Sequence, residues 1–116
     1  MKEFIVCSLF FLLLSCNNND TLFVTLPSNR TQIKFQNNLT STADLNILNY
    51  LYYYNGAGVS AADFNNDGLA DLYFTGNQIE DKLFLNLGEL KFKDITSEAH
   101  INNALPWPTG VTTVDI

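Results

Sequence analysis

The fold is decided by residues 58–74, which read Gly-Val-Ser-Ala-Ala-Asp-Phe-Asn-Asn-Asp-Gly-Leu-Ala-Asp-Leu-Tyr-Phe. In its central part, residues 63–71, oxygen-bearing side chains stand at the first, third, fifth and ninth positions, and a glycine stands at the sixth. Three of these side chains are carboxylates, which repel one another when they converge without a cation. Hard oxygen ligands in this number suit Ca²⁺, which takes roughly six to eight oxygens at about 2.3–2.6 Å. The pattern therefore predicts a calcium-binding loop.

The segments around this loop are typical of β-strands, because aromatic and β-branched residues alternate there with turn-forming Gly, Asn and Asp. Glycines at positions 76 and 88 mark the turns between the later segments. The sequence predicts an all-β fold with four short antiparallel strands, at residues 59–64, 71–75, 82–86 and 90–95.

Two parts of this pattern occur twice in the chain. Residues 58–64 are matched by residues 110–116, and Lys34-Phe35 is echoed by Lys91-Phe92. A spacing of roughly 50 residues with strand-rich content indicates a propeller or another β-repeat array. We expect about one four-stranded blade, and the start of the next blade after residue 107. Residues 33–39 are predicted to be an N-terminal strand that closes the last blade.

One blade cannot close a ring, since it leaves strand edges unpaired and half of its core uncovered. The sequence therefore favours a chain that is the N-terminal fragment of a longer propeller protein.

The N-terminus resembles a bacterial lipoprotein signal. Residues 4–14 form an apolar-leaning run that is too short to cross a bilayer as a helix. The run ends in Leu13-Leu14-Ser15-Cys16, which is similar to a lipobox. We expect residues 1–15 to be the signal peptide, Cys16 to be lipidated, and residues 16–30 to be a flexible tether. The alternative is an ordinary signal peptide with an incidental cysteine.

The composition argues against two classes of function. The net charge is −6 and the pI is about 4.4, and the few basic residues are scattered, so nucleic acid is not an expected partner. His100 is the sole histidine, and no nucleophile motif accompanies it, so no catalytic residue is predicted. The tyrosines of residues 50–54 are expected to pack at a blade edge, with a sugar-stacking platform as the alternative. Trp107 is expected to pack between blades, with a ligand-stacking role as the alternative.

Residues 58–74, followed by Lys82-Leu83-Phe84-Leu85-Asn86 and by residues 91–96, resemble the FG-GAP/VCBS repeat family. The similarity covers roughly residues 31–116 and is closest to the secreted bacterial branch related to the ASPIC/UnbV proteins. The FG-GAP dipeptides themselves are not present, and Gly56-Ala57-Gly58 stands where a glycine-rich turn is expected. The resemblance implies a β-propeller with Ca²⁺ in the hairpin loop between the first two strands of a blade.

The resemblance also implies a set of calcium ligands in this chain. Gly68 would permit the sharp turn that brings the end of the loop round to the ion. The implied ligands are Asp63, Asn65, Asp67, Leu69 through its backbone carbonyl, and Asp71.

Three alternatives to this calcium loop remain open from the sequence. An EF-hand begins similarly, but it requires a bidentate Glu at the twelfth position, where this chain has Phe74, and it requires helices on both sides. An Asx-rich hairpin turn needs no metal. Mg²⁺ fits less well, because it keeps several waters and uses fewer protein ligands.

The sequence thus predicts a calcium-binding repeat module without catalytic activity, exported and lipid-anchored in the bacterial cell envelope, at the outer membrane or cell surface. Its expected partners are a protein or glycan ligand and, through the lipid, the membrane. The alternative is the non-catalytic portion of a cell-surface enzyme, such as a polysaccharide hydrolase, whose active site lies beyond this sequence.

Overall fold

The computed structural model of the chain describes residues 21–101 and 107–114. These residues form an open, antiparallel, four-stranded sheet with almost no helix, as the all-β prediction requires. The strand order β1-β2-β3-β4 follows the chain, so each strand pairs with its neighbour in sequence. The elements are α1 (Ser28–Thr31), β1 (Val59–Ala62), β2 (Asp71–Phe74), β3 (Lys82–Asn86) and β4 (Phe92–Asp94).

Several predictions concern residues outside this description. They are the predicted signal peptide, the predicted lipidation of Cys16, residues 16–20 of the predicted tether, and the last two residues of the predicted second repeat copy. Within residues 21–101 and 107–114, no helix has the length and apolar character needed to cross a membrane.

All four predicted strands are present, but three are shorter than expected. Strand β2 ends at Phe74, one residue before its predicted end. Strand β1 ends at Ala62, because the Phe64 N–H bonds to a side chain, the Asp71 carboxylate, at 2.9 Å. Strand β4 begins at Phe92, because Glu89 and Leu90 have positive φ angles of 52° and 58°. A strand requires a negative φ, so these two residues belong to the turn instead.

The region predicted as a tether ends in the single helical turn α1. The Pro27 carbonyl accepts hydrogen bonds from the N–H groups of Arg30 and Thr31. Gln32 then stops the helix with a left-handed φ of 64°. The proline fixes an extended entry into the turn, which explains why a segment without helical periodicity still forms one turn.

The register sorts the strand residues onto two faces, because residues opposite each other share a face. One face, which we call the phenylalanine face, contains Leu72 opposite Phe84 and also Phe74. The other, the tyrosine face, contains Tyr73 between Ser60 and Leu83. Both faces bury apolar side chains. Among the described residues the buried hydrophobic core consists of Tyr53, Leu83, Phe84 and Phe92.

The phenylalanine face is covered by the segment 33–39. The ring of Phe35 stacks on that of Phe74 at a centroid distance of 4.9 Å. Asn37 and Asn77 pair reciprocally: the Asn37 side chain donates to Asn77 Oδ1 at 2.6 Å, and the Asn77 N–H donates to Asn37 Oδ1 at 3.0 Å.

The prediction of a strand at residues 33–39 is wrong for the described structure. Side chains, and not a backbone ladder, attach this segment to the sheet. Its backbone also makes a local bond from the Asn38 N–H to the Gln36 carbonyl at 2.9 Å, which bends the chain out of a strand path.

The tyrosine face receives the second repeat copy, residues 107–114. The Ser60 hydroxyl lies 3.2 Å from the Thr113 hydroxyl. A Cβ on Gly58 would lie only 2.6 Å from the Val111 nitrogen, so the two backbones are in close contact there. The Asn77 side chain donates to the Pro108 carbonyl at 2.8 Å. Asn77 therefore joins the segments on both faces to the turn between β2 and β3.

An aromatic cluster lies where the second repeat copy meets residues 50–54. The Tyr53 side chain is fully buried, with its ring centroid 5.1 Å from that of Trp107. Tyr50 contacts Trp107 edge-on at 5.7 Å. Tyr52 and Tyr54 are exposed. Tyr50 and Tyr53 therefore pack on Trp107. The rings of Tyr52 and Tyr54 contact those of Tyr50 and Tyr53 and are otherwise exposed.

A buried carboxylate closes the turn between β2 and β3. Asp81 accepts a hydrogen bond from the Tyr73 hydroxyl at 2.9 Å and another from the Gly76 N–H at 2.9 Å. Burial, followed by the hydrogen bond to Asp81 and the negative charge of that carboxylate, raises the pKa of Tyr73 to about 12. The neutral phenol is therefore the form that the folded sheet prefers.

This shift predicts a loss of stability at alkaline pH. The folded state holds the Tyr73 proton more tightly than the unfolded chain, whose tyrosines titrate near about 10. The contribution of the Tyr73 proton to the free energy of unfolding is thus fully present below pH ~10, and it is lost as the pH rises through about 12. Urea denaturation at successive pH values should show this fall in the wild type and a shallower fall in Tyr73→Phe. Equal slopes in the two proteins would contradict the assignment.

Candidate metal centre

The oxygen-rich loop, residues 63–70, connects two paired strands. Ala62 at the end of β1 is directly opposite Asp71 at the start of β2. The twelfth position counted from Asp63 is Phe74, which lies inside β2. An EF-hand has helices at both ends of its loop. The strands here exclude that alternative.

Side chains of the loop bond to backbone N–H groups of the same loop. The Asp63 carboxylate accepts from the Gly68 N–H at 2.8 Å and from the Asp67 N–H at 3.1 Å. Asn65 donates to Asp67 Oδ2 at 2.8 Å. Asp67 Oδ1 accepts from the Leu69 N–H at 2.8 Å. These bonds hold the side chains of positions one, three and five around one turn.

Two residues have the left-handed conformation that closes this turn. Gly68 has φ 84°, which confirms the predicted role of the glycine, and Asn66 has φ 59°. Asn tolerates this region better than most residues. The N–H of Gly68 is the main reason why the pKa of the Asp63 carboxyl lies below its usual value, with desolvation opposing it. Asp63 is consequently an anion under ordinary conditions.

Asp71 differs from the other acidic residues of the loop because it is fully buried. One carboxylate oxygen accepts from the Phe64 N–H at 2.9 Å, and the other accepts from the Asn86 N–H at 2.8 Å. The first bond reaches across the loop, and the second reaches to the end of β3. Asp71 thus has a structural role that its position in the motif does not reveal.

The loop carboxylates have no cationic side chain beside them in residues 21–101 and 107–114. The four ion pairs of that part of the chain involve Lys82, Lys91 and Lys93, with partners outside the loop. Each carboxylate oxygen that accepts one N–H keeps a further lone pair for a metal ion. The donor set is therefore all-oxygen and negatively charged, which fits Ca²⁺ in chemical character.

Acidic side chains alone do not form a metal cluster here. Within the described ranges, no group of three or more His, Cys, Asp or Glu side chains could hold an ion. A calcium shell would need the Asn65 amide oxygen and the Leu69 carbonyl besides the carboxylates. The geometry leaves the metal-free Asx-rich turn open as an alternative.

An open cleft lies beside the loop. It has a volume of about 680 Å³ and separates the loop from the second repeat copy. Asp63 and Asn66 line one side, and Thr113 and Val114 line the other. The candidate metal centre is therefore accessible from solvent and adjoins the seam between the two copies.

Sequence reasoning overlooked one polar residue that supports this region, Asn86. It directly precedes the predicted turn at residues 87–88, where Asn side chains commonly bond to nearby backbone groups. That signal was available in the sequence, but it does not indicate that the Asn86 side chain reaches the Ala70 carbonyl.

Comparison of the chain with protein-family models, with curated proteins and with solved structures gives no match.

Proposed function

We propose that the chain is a calcium-binding β-propeller repeat module of a lipid-anchored bacterial envelope protein, and that it binds or scaffolds a protein or glycan partner. The observation that carries the proposal is the loop between β1 and β2. There the side chains of Asp63, Asn65 and Asp67 are held around one left-handed turn without a neighbouring cationic side chain among the described residues.

The form of the sheet supports the propeller part of the proposal. A propeller blade is a four-stranded antiparallel sheet whose two faces pack against neighbouring blades. Here four strands follow one another in chain order. The phenylalanine face contacts a segment that precedes the sheet, and the tyrosine face contacts one that follows it. This is the arrangement expected of a blade between two neighbours.

The contact between the two repeat copies is a second support. Gly58 and Gly110 occupy equivalent positions in the copies, and the backbone at Gly58 closely approaches that at Gly110. Ser60 of the first copy meets Thr113 of the second. Corresponding strands of successive blades lie side by side around a propeller axis, so equivalent residues are expected to meet in this way.

Calcium would act structurally in this proposal. Ca²⁺ supplies a double positive charge that offsets the repulsion among Asp63, Asp67 and Asp71. The loop residues position the oxygens, and the strands at each end hold the loop closed. Metal binding that requires a folded site adds its free energy to that of folding.

Calcium titration of the purified protein tests the proposal. After removal of metal with EDTA, calorimetry up to millimolar Ca²⁺ should show saturable binding. Asp67→Ala should abolish binding at the loop, because it removes one ligand from an exposed position where it does not disturb the sheet. Asp44→Ala removes an equal charge from an exposed turn outside the loop and should bind as the wild type does. Unchanged binding by Asp67→Ala would refute the site.

A further inference from the structure

We propose that Asn86 is a positioning residue for the calcium loop, and that it acts from β3 without touching the ion. The inference rests on the proposed calcium function, since it states which residue outside the motif sets the affinity of that site. Asn86 is the last residue of β3 and lies next to the turn that leads into β4.

Asn86 makes two hydrogen bonds to the closing end of the loop and a third bond that orients its own side chain. Its backbone N–H donates to Asp71 Oδ1 at 2.8 Å. Its side-chain amide donates to the Ala70 carbonyl at 3.0 Å. Its side-chain oxygen accepts from the Gly88 N–H at 2.9 Å, which fixes the orientation of the amide. A single residue thus holds two successive residues of the loop, Ala70 and Asp71.

These hydrogen bonds matter because they fix the second half of the loop, where fewer hydrogen bonds form within the loop itself. The bonds among Asp63, Asn65 and Asp67 organise the first half of the turn. The Leu69 carbonyl and the Asp71 carboxylate, which are the remaining proposed ligands, lie on either side of Ala70. Holding the Ala70 carbonyl from β3 restricts rotation of the backbone between these two ligands.

The expected size of the effect follows from other metal sites. Residues that orient metal ligands without contacting the metal typically change its affinity by about 10–100-fold when they are replaced. We therefore expect Asn86→Ser to raise the calcium dissociation constant by about 10-fold or more. Serine is neutral and offers an acceptor near the Gly88 N–H, but it is too short to reach the Ala70 carbonyl.

The matched control is Asn49→Ser. The Asn49 side chain also donates to backbone carbonyls, those of Ala43 at 3.0 Å and Asp44 at 3.2 Å, but in an exposed turn away from the loop. This control loses the same kind of bond and should keep the wild-type calcium affinity. Asn86→Asp is a second test, because its added negative charge alone would strengthen calcium binding. If Asn86→Asp binds calcium more weakly than the wild type, the cause is therefore the lost hydrogen bond to the Ala70 carbonyl and not the change in charge.

Calorimetric titration with CaCl₂ and thermal unfolding in EDTA are measured for each variant. A positioning role raises the dissociation constant of both Asn86 variants while their melting temperatures in EDTA stay near that of Asn49→Ser. An unchanged dissociation constant in folded Asn86→Ser overturns the inference. Unfolding of both Asn86 variants at saturating calcium also overturns it, because Asn86 would then hold the sheet itself. Failure of the wild type to bind calcium refutes instead the proposed function.

Discussion

Asp71→Ala is expected to unfold the sheet whether or not calcium is present. The Asp71 carboxylate is completely buried and receives two backbone N–H groups, from Phe64 and Asn86. Alanine leaves both donors without a partner, at about 1–3 kcal/mol each. The expected loss is about 2–6 kcal/mol, which is a large part of the stability of a small domain.

The comparison with Asp67→Ala makes this prediction specific. Asp67 is exposed, and its side chain bonds only within the loop. Its replacement should lower the melting temperature in calcium and change it little in EDTA. Asp71→Ala should lower the melting temperature strongly in both conditions, as followed by far-ultraviolet circular dichroism.

A milder substitution at the same position provides the control. Asp71→Asn keeps one oxygen that can accept an N–H, but its amide nitrogen faces the second donor. It should therefore lie between the wild type and Asp71→Ala in stability. If Asp71→Ala were as stable in EDTA as the wild type, the bonds from Phe64 and Asn86 would not hold the loop to the sheet.

Gly58→Ala is expected to displace the second repeat copy from the tyrosine face. The added Cβ would lie 2.6 Å from the Val111 nitrogen and 2.7 Å from the Gly110 carbonyl carbon. These are backbone atoms, which cannot rotate away as the end of a side chain can. Overpacking of this kind costs about 1–3 kcal/mol. Relief of the clash requires residues 107–114 to move outward and to break the Ser60–Thr113 contact.

The single tryptophan of the chain reports this movement directly. Trp107 belongs to the displaced segment and packs on Tyr53. Its fluorescence should shift to longer wavelength in Gly58→Ala, and the urea midpoint should fall. Gly110→Ala is the matched control, because a Cβ at that position meets no atom within 4 Å and the backbone φ is not positive. Equal spectra for the two variants would show that the two copies do not pack as described.

Local sequence features determined much of this fold. Short runs of strand-forming residues between glycines and Asx residues placed all four strands, and the order of the strands followed from the short connections between them. The left-handed φ of Gly68 was likewise expected from its position in the motif. These features depend on neighbours within a few residues, so spacing and residue type suffice to predict them.

The segment 33–39 shows where such reasoning stops. Its echo of residues 90–95 predicted a strand, but strand formation needs a backbone partner as well as a suitable sequence. The segment instead contacts distant residues: Phe35 stacks on Phe74, and the Asn37 side chain pairs with Asn77, 40 residues away. Similarity between two segments does not specify which groups either one will meet.

The sequence alone determined the four strands, the position of the oxygen-rich loop and the chemistry of its side chains, because spacing and residue type decide these locally. Only the tertiary structure decided that Asp71 is buried between Phe64 and Asn86, and that Asn77 joins the segments on both faces. Those contacts connect groups that are 7 to 40 residues apart in the chain. Which distant groups come together depends on how the whole sheet packs, and no short stretch of residues contains that information.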